Sequence, residues 1–129
     1  MERKRVSSGS PFEEKIGFCR AVREGDRVLV SGTAPIWPDG SFDADPERQA
    51  ERCLEIISAA LAQLGAQPAD VVRTRIYLTD ASDFEAVGRA HGAVFGTARP
   101  ASTMVVVKAL LDERWKVEIE AEAIVGEGR

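Results

Sequence analysis

The segment "KVEIEAEAIV", residues 116–125, alternates between apolar and acidic side chains with a period of two. Successive side chains of a β-strand point to opposite faces of a sheet, so this pattern predicts a strand with one buried and one polar face. The buried face carries Val117, Ile119, Ala121 and Ala123, and the polar face carries Glu118, Glu120 and Glu122. Such a strand needs a sheet around it and a second layer over its apolar face.

Three further regions predict strands. Residues 18–22 and 27–31 flank "REGD", where Gly25 provides a permissive turn, and this arrangement is typical of a hairpin. Residues 102–110 predict another strand. The segment "VVRTRIYLT", residues 71–79, also alternates. Its predicted faces are Val72, Thr74, Ile76 and Leu78 on one side, and Val71, Arg73, Arg75, Tyr77 and Thr79 on the other.

Two segments predict amphipathic helices. Asp45 and Pro46 are typical of the N-cap and first position of a helix that runs to about residue 64 and stops at Gly65. Its apolar stripe is Ala50, Cys53, Leu54, Ile57, Leu61 and Leu64, so Cys53 is interpreted as a small hydrophobic residue. A capping box of Ser82 and Glu85 predicts the start of the second helix, which ends near Gly96. Its stripe is Phe84, Val87, His91, Val94 and Phe95, with His91 at the boundary.

The order β-β-α-β-α-β-β places two helices on one face of a mixed sheet, which is an α+β fold. A chain of 129 residues has the size of one domain, so we expect a single domain over residues 1–129. The face without helices combines arginines and carboxylates with β-branched residues. Such a face is suited to an interface between copies of the chain, where opposite charges pair.

Composition argues against several classes of function. The formal net charge of −4 does not favour a nucleic-acid partner, and the basic "ERKR" near the amino end is interpreted as a solvated, frayed terminus. No signal peptide and no membrane-spanning stretch are expected. With one histidine and two cysteines that lack metal-type spacing, we expect no metal and a cytoplasmic location.

The acidic row Glu118, Glu120 and Glu122 is the main candidate for chemistry, with Arg73 and Arg75 as candidate partners. Neighbouring carboxylates on one strand face lie about 7 Å apart, and burial raises the pKa of such a group. A carboxylate held in this way can position water or move a proton. The alternative is a lattice of ion pairs that joins subunits, and the residue pattern leaves both open.

Four motifs, "VLVSGTAP", "VVRTRIYLTD", "RPAST" and "KVEIEAEA", occur in an order and spacing that resemble the Rid family. These RidA/YjgF-like proteins are reactive intermediate (imine/enamine) deaminases, often labelled L-PSP endoribonucleases or translation inhibitors. The resemblance covers roughly residues 17–125. It implies a chorismate-mutase-like fold, a homotrimeric barrel with ligand clefts between subunits, and cofactor-free hydrolysis of small imines.

The resemblance also assigns site residues. It implies that Glu118 holds the attacking water, and that Gly32 and Thr33 offer backbone and hydroxyl contacts at the "SG" turn. The family's tyrosine falls on Phe18, which keeps the ring and lacks the hydroxyl. Its substrate-binding arginine falls on Ser102, and its cysteine falls on Met104.

The serine removes a charge-assisted hydrogen bond worth about 1.5–3 kcal/mol. Arg75 is the best substitute, either as a ligand contact or in an ion pair with Glu120 or Glu122, and Arg20 is a second choice. Arg99 belongs to the loop after the second helix. The resemblance therefore leaves two functions open. One is hydrolysis of an imine or enamine other than 2-aminoacrylate, and the other is non-catalytic binding of a small carboxylate-bearing or amide metabolite, as a sensor does. Ribonuclease activity is disfavoured by the acidic composition.

Overall fold

A computed structural model describes residues 2–126, which form a six-stranded mixed sheet and two α-helices. The strands are β1 (Arg3–Val6), β2 (Ala21–Glu24), β3 (Arg27–Thr33), β4 (Val71–Leu78), β5 (Ala101–Val106) and β6 (Val117–Ile124). The helices are α1 (Pro46–Gln63) and α2 (Phe84–Phe95). Single helical turns cover Glu13–Gly17, Pro68–Asp70 and Ala81–Asp83.

The sheet has the order β1-β2-β3-β6-β4-β5, so the alternating strand β6 lies inside the sheet and β5 lies at an edge. β4 and β5 pair in parallel through the α2 crossover, and the other pairs are antiparallel. α1 contacts β3, β6 and α2. The predicted α+β fold is confirmed, and the face of the sheet without helices is called the open face below.

The predicted alternation in β6 is confirmed. Val117, Ile119, Ala121 and Ala123 are buried, and the three glutamates between them are partly exposed on the open face. α1 also follows its prediction. The Asp45 carboxylate accepts the backbone N–H of Arg48 at 3.1 Å, and Gly65 follows the helix with a φ of 77°.

The predicted capping box of α2 is wrong. The Asp80 carboxylate accepts both the backbone N–H and the hydroxyl of Ser82, at 2.8 and 2.7 Å. These bonds close a 3₁₀ turn before the helix, so Ser82 is not its N-cap and α2 begins at Phe84. Phe84 is consequently 60% exposed and does not belong to the buried stripe.

The prediction of a frayed amino terminus is also wrong. Arg3–Val6 form β1, which pairs with β2, and Val6 joins the core. An ion pair between Arg3 and Glu24 supports the pairing. The strand predicted to begin at residue 18 begins later. The helical turn Glu13–Gly17 comes first, and β2 starts at Ala21.

The faces of two residues in β4 and the end of β5 differ from the sequence prediction. A register irregularity between Val71 and Arg73 buries Val71 and leaves Val72 43% exposed, which reverses the predicted faces of these two valines. β5 ends at Val106 rather than at residue 110. Arg99 lies after α2, as predicted, and adopts a φ of 49° while its N–H donates to the Phe95 carbonyl at 2.8 Å. Its backbone therefore closes the helix in the left-handed conformation.

Gln49 is a buried polar side chain that joins two loops to α1. It is fully buried, its amide donates to the carbonyls of Asp43 and Arg114 at 2.8 and 3.2 Å, and its carbonyl accepts the Lys116 N–H at 2.7 Å. Since Lys116 precedes β6, this side chain fixes the entry of the chain into the central strand.

Gln49→Leu keeps the volume of the side chain and removes its polar atoms. We expect the free energy of unfolding to fall by about 2–3 kcal/mol, because buried backbone groups lose their partners. Urea denaturation measures this change. Gln63→Leu, at the exposed end of α1, is the matched control, with an expected change within about 0.5 kcal/mol. Equal stability of the two variants would contradict the role of Gln49.

Candidate functional site

A continuous series of polar contacts crosses the open face, and we call it the charge ladder. Arg75 donates to Glu120 at 3.4 Å and to Glu122 at 3.2 Å, and Arg27 lies 3.9 Å from Glu122. The Tyr77 hydroxyl donates to Glu120, and this bond is the main cause that raises the pKa of Tyr77. The ladder therefore commits two of the three β6 glutamates to partners within the chain.

Glu118 lies beyond the end of the ladder and differs from both other glutamates. Among residues 2–126 its carboxylate has no hydrogen bond or salt bridge. Burial raises the pKa of Glu118, the nearby Arg20 guanidinium opposes this shift, and Glu120 adds to it. A half-buried carboxylate that lacks a partner is free to bind a water molecule or a ligand.

Gly32 lies directly against the Glu118 carboxylate. A Cβ at residue 32 would come within 2.6 Å of Glu118 Oε2, which is far inside van der Waals contact. The Gly32 backbone conformation does not itself require glycine, since its φ lies outside the left-handed region. The small residue is therefore needed to admit the carboxylate, and the two predicted site residues Gly32 and Glu118 are neighbours.

Arg20 connects this position to the helix side of the sheet. Its guanidinium donates to the Gly32 carbonyl at 3.3 Å and to Thr33 Oγ1 at 3.0 Å. Thr33 is fully buried and its hydroxyl also donates to the Ser31 carbonyl at 2.8 Å. Thr33 thus holds Arg20, and its hydroxyl has partners within this chain. A ligand contact by Thr33 stays a prediction.

Of the two alternatives left open for Arg75, the chain shows the ion pair. The guanidinium side chain is 38% exposed and contacts Glu120 and Glu122, but not Glu118. The hydrogen bond to Glu122 is the main cause that raises the pKa of Arg75. A ligand contact by Arg75 stays a prediction. Arg20, the second choice from the sequence, is the cation whose charge acts on Glu118.

The remaining predicted site residues lie elsewhere on the chain. Ser102 and Met104 are on β5, opposite Thr74 and Ile76 of β4, and Met104 packs against the core. Ser102 is exposed, and its hydroxyl accepts a hydrogen bond from Thr74 at 2.8 Å. Phe18 follows the helical turn Glu13–Gly17 and is 38% exposed.

Glu118 and Ser102 are far apart within one chain. Ser102 is opposite Thr74, Glu118 is opposite Tyr77, and β4 separates the two strands. Two strand spacings of about 4.8 Å and three residues of about 3.3 Å give a separation of about 14 Å. The side chains also lie on opposite faces, because Ser102 contacts the buried Thr74 and Glu118 faces away from the helices. The structure thus brings Gly32 to Glu118 but does not bring Ser102 there.

Two clefts lie on the helix side of the chain. One, of about 710 Å³, is bounded by Trp37 and both helices, and the other, of about 670 Å³, is bounded by α1, Trp37, Trp115 and Arg20. Neither includes Glu118. Within residues 2–126 no group of three or more His, Cys, Asp or Glu side chains is arranged to hold a metal ion. In that same part of the chain, no helix has the length and apolar character needed to cross a bilayer.

Comparisons with known proteins identify relatives of this chain in sequence and in structure. A family model described as Endoribonuclease L-PSP matches residues 11–125. The crystal structure of a YjgF/YER057c/UK114 family member from Mycobacterium tuberculosis has 47% identity and a TM-score of 0.88, covering 96% of this chain and all of the other. The 2-iminobutanoate/2-iminopropanoate deaminase of Escherichia coli K12 is 32% identical over 111 residues, 83% of this chain and 86% of that protein. E. coli TdcF with bound serine matches at 26% identity and a TM-score of 0.80, covering 95% and 94%.

The chain therefore belongs to the Endoribonuclease L-PSP family, which is also the YjgF/RidA family. The resemblance drawn from the four motifs is confirmed.

Two features of this region were not predicted from the sequence. The unpartnered state of Glu118 depends on how β3, β4 and β6 are registered, and no local pattern reports it. Thr74 and His91 were interpreted as a strand residue and a boundary residue, yet Thr74 Oγ1 contacts both His91 Nε2 and Ser102 Oγ. The only local signal was that both are polar residues at predicted buried or boundary positions.

Proposed function

We propose that this protein hydrolyses a small imine or enamine, with Glu118 as the residue that positions and deprotonates the attacking water. The unpartnered, half-buried Glu118 carboxylate carries this proposal, because its two neighbours are held by the charge ladder. Family relatives that include a 2-iminobutanoate/2-iminopropanoate deaminase support the reaction class.

The reaction balances with residues of the chain alone. Water adds to the carbon of the protonated C=N bond while the Glu118 carboxylate accepts one of its protons, which gives a neutral carbinolamine. Glu118 then returns that proton to the amino nitrogen. The C–N bond breaks and the hydroxyl group releases its proton to solvent, so that ammonia leaves and a carbonyl product remains. Burial raises the pKa of Glu118, which makes the carboxylate a stronger base than an exposed glutamate, and the charge of Arg20 opposes this rise.

The complete site in this proposal forms between subunits of a homotrimer. The separation of Glu118 from Ser102 supports it, since no small ligand reaches both within one chain. The open face offers the surface for assembly: Leu29 and Val105 are 39% and 42% exposed beside charges that are already paired. We propose that Glu118, Gly32 and Phe18 of one subunit meet Ser102 and Met104 of the next.

A panel of imines, generated in situ by amino-acid oxidases and amine oxidases, tests the activity. We expect carbonyl and ammonia release to exceed the spontaneous rate for at least one imine, from protein shown by light scattering to be a trimer. A folded trimer that accelerates no imine contradicts the enzymatic function.

A binding protein is the second candidate, and Ser102 is the observation that favours it. A serine hydroxyl lacks the charge that holds a carboxylate tightly, so a site without turnover is compatible with this residue. That function predicts saturable binding of a small carboxylate-bearing or amide metabolite without product release. Glu118 would then affect affinity alone.

A further inference from the structure

Three side chains from three elements form a hydrogen-bonded relay that the mechanism above does not use. Thr74 Oγ1 lies 2.8 Å from His91 Nε2 and 2.8 Å from Ser102 Oγ. Thr74 and Ser102 face each other across β4 and β5, and His91 reaches them from α2. The relay runs from a half-buried imidazole, through a fully buried hydroxyl, to an exposed hydroxyl on the edge strand.

We assign one donor direction to the relay. Thr74 donates its one hydroxyl proton to Ser102. With the Nε2–H tautomer, His91 then donates to Thr74, and Ser102 keeps its own proton for a partner outside the chain. In this tautomer the Nε2–H of His91 has Thr74 as its partner. No second hydrogen bond of His91 occurs among the described residues 2–126, so a proton on Nδ1 would have no partner there.

The relay is also uncharged near neutral pH. Burial lowers the pKa of His91, so the imidazole is neutral, and the two hydroxyls carry no charge. The ring packs at 4.8 Å against Phe95, which is almost completely buried, and this contact limits its movement. Ser102 is consequently a fixed neutral donor rather than a mobile surface hydroxyl.

We propose that Ser102, oriented by Thr74 and His91, binds the uncharged carbonyl oxygen of an amide or ester group on the substrate in preference to a carboxylate. This inference rests on the proposed function, because it places Ser102 in a cleft with Glu118 of the neighbouring subunit. A carboxylate there meets the charge of Glu118, and the relay supplies no cation to balance it. A carbonyl oxygen accepts the same hydrogen bond without that penalty, so the substrate class is a small imine that carries an amide or ester.

The single histidine of the sequence permits a direct test. Protein labelled with ¹⁵N-histidine, with any purification tag removed, gives imidazole NMR signals from His91 alone. We expect the neutral Nε2–H tautomer. Pyruvamide and pyruvate are the probes, because they are stable carbonyl compounds of nearly equal size that differ in charge. Pyruvamide should shift the His91 signals to saturation with an affinity about ten-fold above that of pyruvate.

Variants separate orientation from packing. Thr74→Val is nearly isosteric and interrupts the relay, so we expect about ten-fold weaker pyruvamide binding and no ligand response at His91. Thr74→Ser restores both, and Thr79→Val, directly after the same strand, leaves both unchanged. Ser102→Arg introduces a cation and should reverse the preference toward pyruvate.

Three results would overturn the inference: an Nδ1–H tautomer in the free protein, equal affinity for the two probes, or wild-type binding by Thr74→Val. Absence of binding by both probes would overturn it as well. Imine turnover that depends on Glu118 would still support the proposed function in each of these cases. Conversely, the expected binding of the two probes without turnover of any imine would support the role of Ser102 in binding and would contradict imine hydrolysis.

Discussion

Glu118→Gln is expected to lower imine turnover by about 100-fold or more while the protein remains folded. The amide has nearly the shape of the carboxylate but cannot accept a proton from water at neutral pH, and general-base catalysis contributes at least this factor. The kcat for the best imine of the panel measures the loss. Glu122→Gln is the matched control on the same strand and face, since Glu122 pairs with Arg75 and Arg27 rather than with a ligand.

The same substitution is expected to maintain or raise stability at pH 7. Burial raises the pKa of Glu118 in the folded protein, so the folded state binds the proton more tightly than the unfolded state. The contribution of this group to stability therefore falls as the pH rises from the unfolded pKa through the raised folded pKa. Glutamine removes this pH-dependent cost. Turnover of the wild type should follow the opposite course and fall as the pH drops through the pKa of Glu118.

Denaturant titrations of Glu118→Gln at several pH values, compared with Glu122→Gln, check the sign. A loss of activity together with a large loss of stability at pH 7 would make Glu118 a structural residue. Wild-type turnover by Glu118→Gln would exclude it as the base.

Gly32→Ala is expected to lower turnover by about 100-fold with little change in stability. The new methyl group would come within 2.6 Å of Glu118 Oε2, so the carboxylate must move by about an ångström. Displacement of a catalytic group on this scale costs about two orders of magnitude in rate. Because the obstructed atom is the end of a flexible side chain and the Gly32 backbone tolerates alanine, we expect the free energy of unfolding to change by less than about 1 kcal/mol.

Gly88→Ala in α2 is the control, because a Cβ there meets no atom within 4 Å. It should leave turnover unchanged and stabilise the helix by about 0.5–1 kcal/mol. If Gly32→Ala retains wild-type turnover, the position of the Glu118 carboxylate against this residue has no part in the reaction.

Local sequence patterns predicted the elements that have a clear periodicity or cap residues of their own. Alternation identified β6, and the Asp45 and Pro46 signals identified the start of α1. The predicted start of α2 was wrong because the Asp80 carboxylate binds Ser82 and holds it in a 3₁₀ turn before the helix. The predicted faces of Val71 and Val72 were wrong because a register irregularity interrupts the alternation. β1 was missed because a strand of four residues with three exposed side chains has no pattern of its own and depends on β2.

The sequence supplied candidate site residues but not their arrangement. The motifs supplied Glu118, Gly32 and Ser102 as candidates, and the acidic row left open whether Arg75 pairs with Glu120 or Glu122 or contacts a ligand. Which glutamate would remain unpaired is decided by the register of β4 against β6, where Arg75 lies opposite Glu120 and beside Glu122. The relay through Thr74 is equally non-local, because His91 and Ser102 meet only through the packing of α2 on the sheet.

The central claim is that each site joins Glu118 of one subunit to Ser102 of the next, and mixed trimers test it most directly. One chain carries Glu118→Gln and the other carries Ser102→Trp, which fills the cleft, and each alone should be inactive. Trimers refolded from an equal mixture contain intact clefts at about one in four interfaces, so we predict recovery of about one quarter of wild-type turnover. No recovery from well-formed mixed trimers, or full activity of Ser102→Trp alone, would contradict a site shared between subunits.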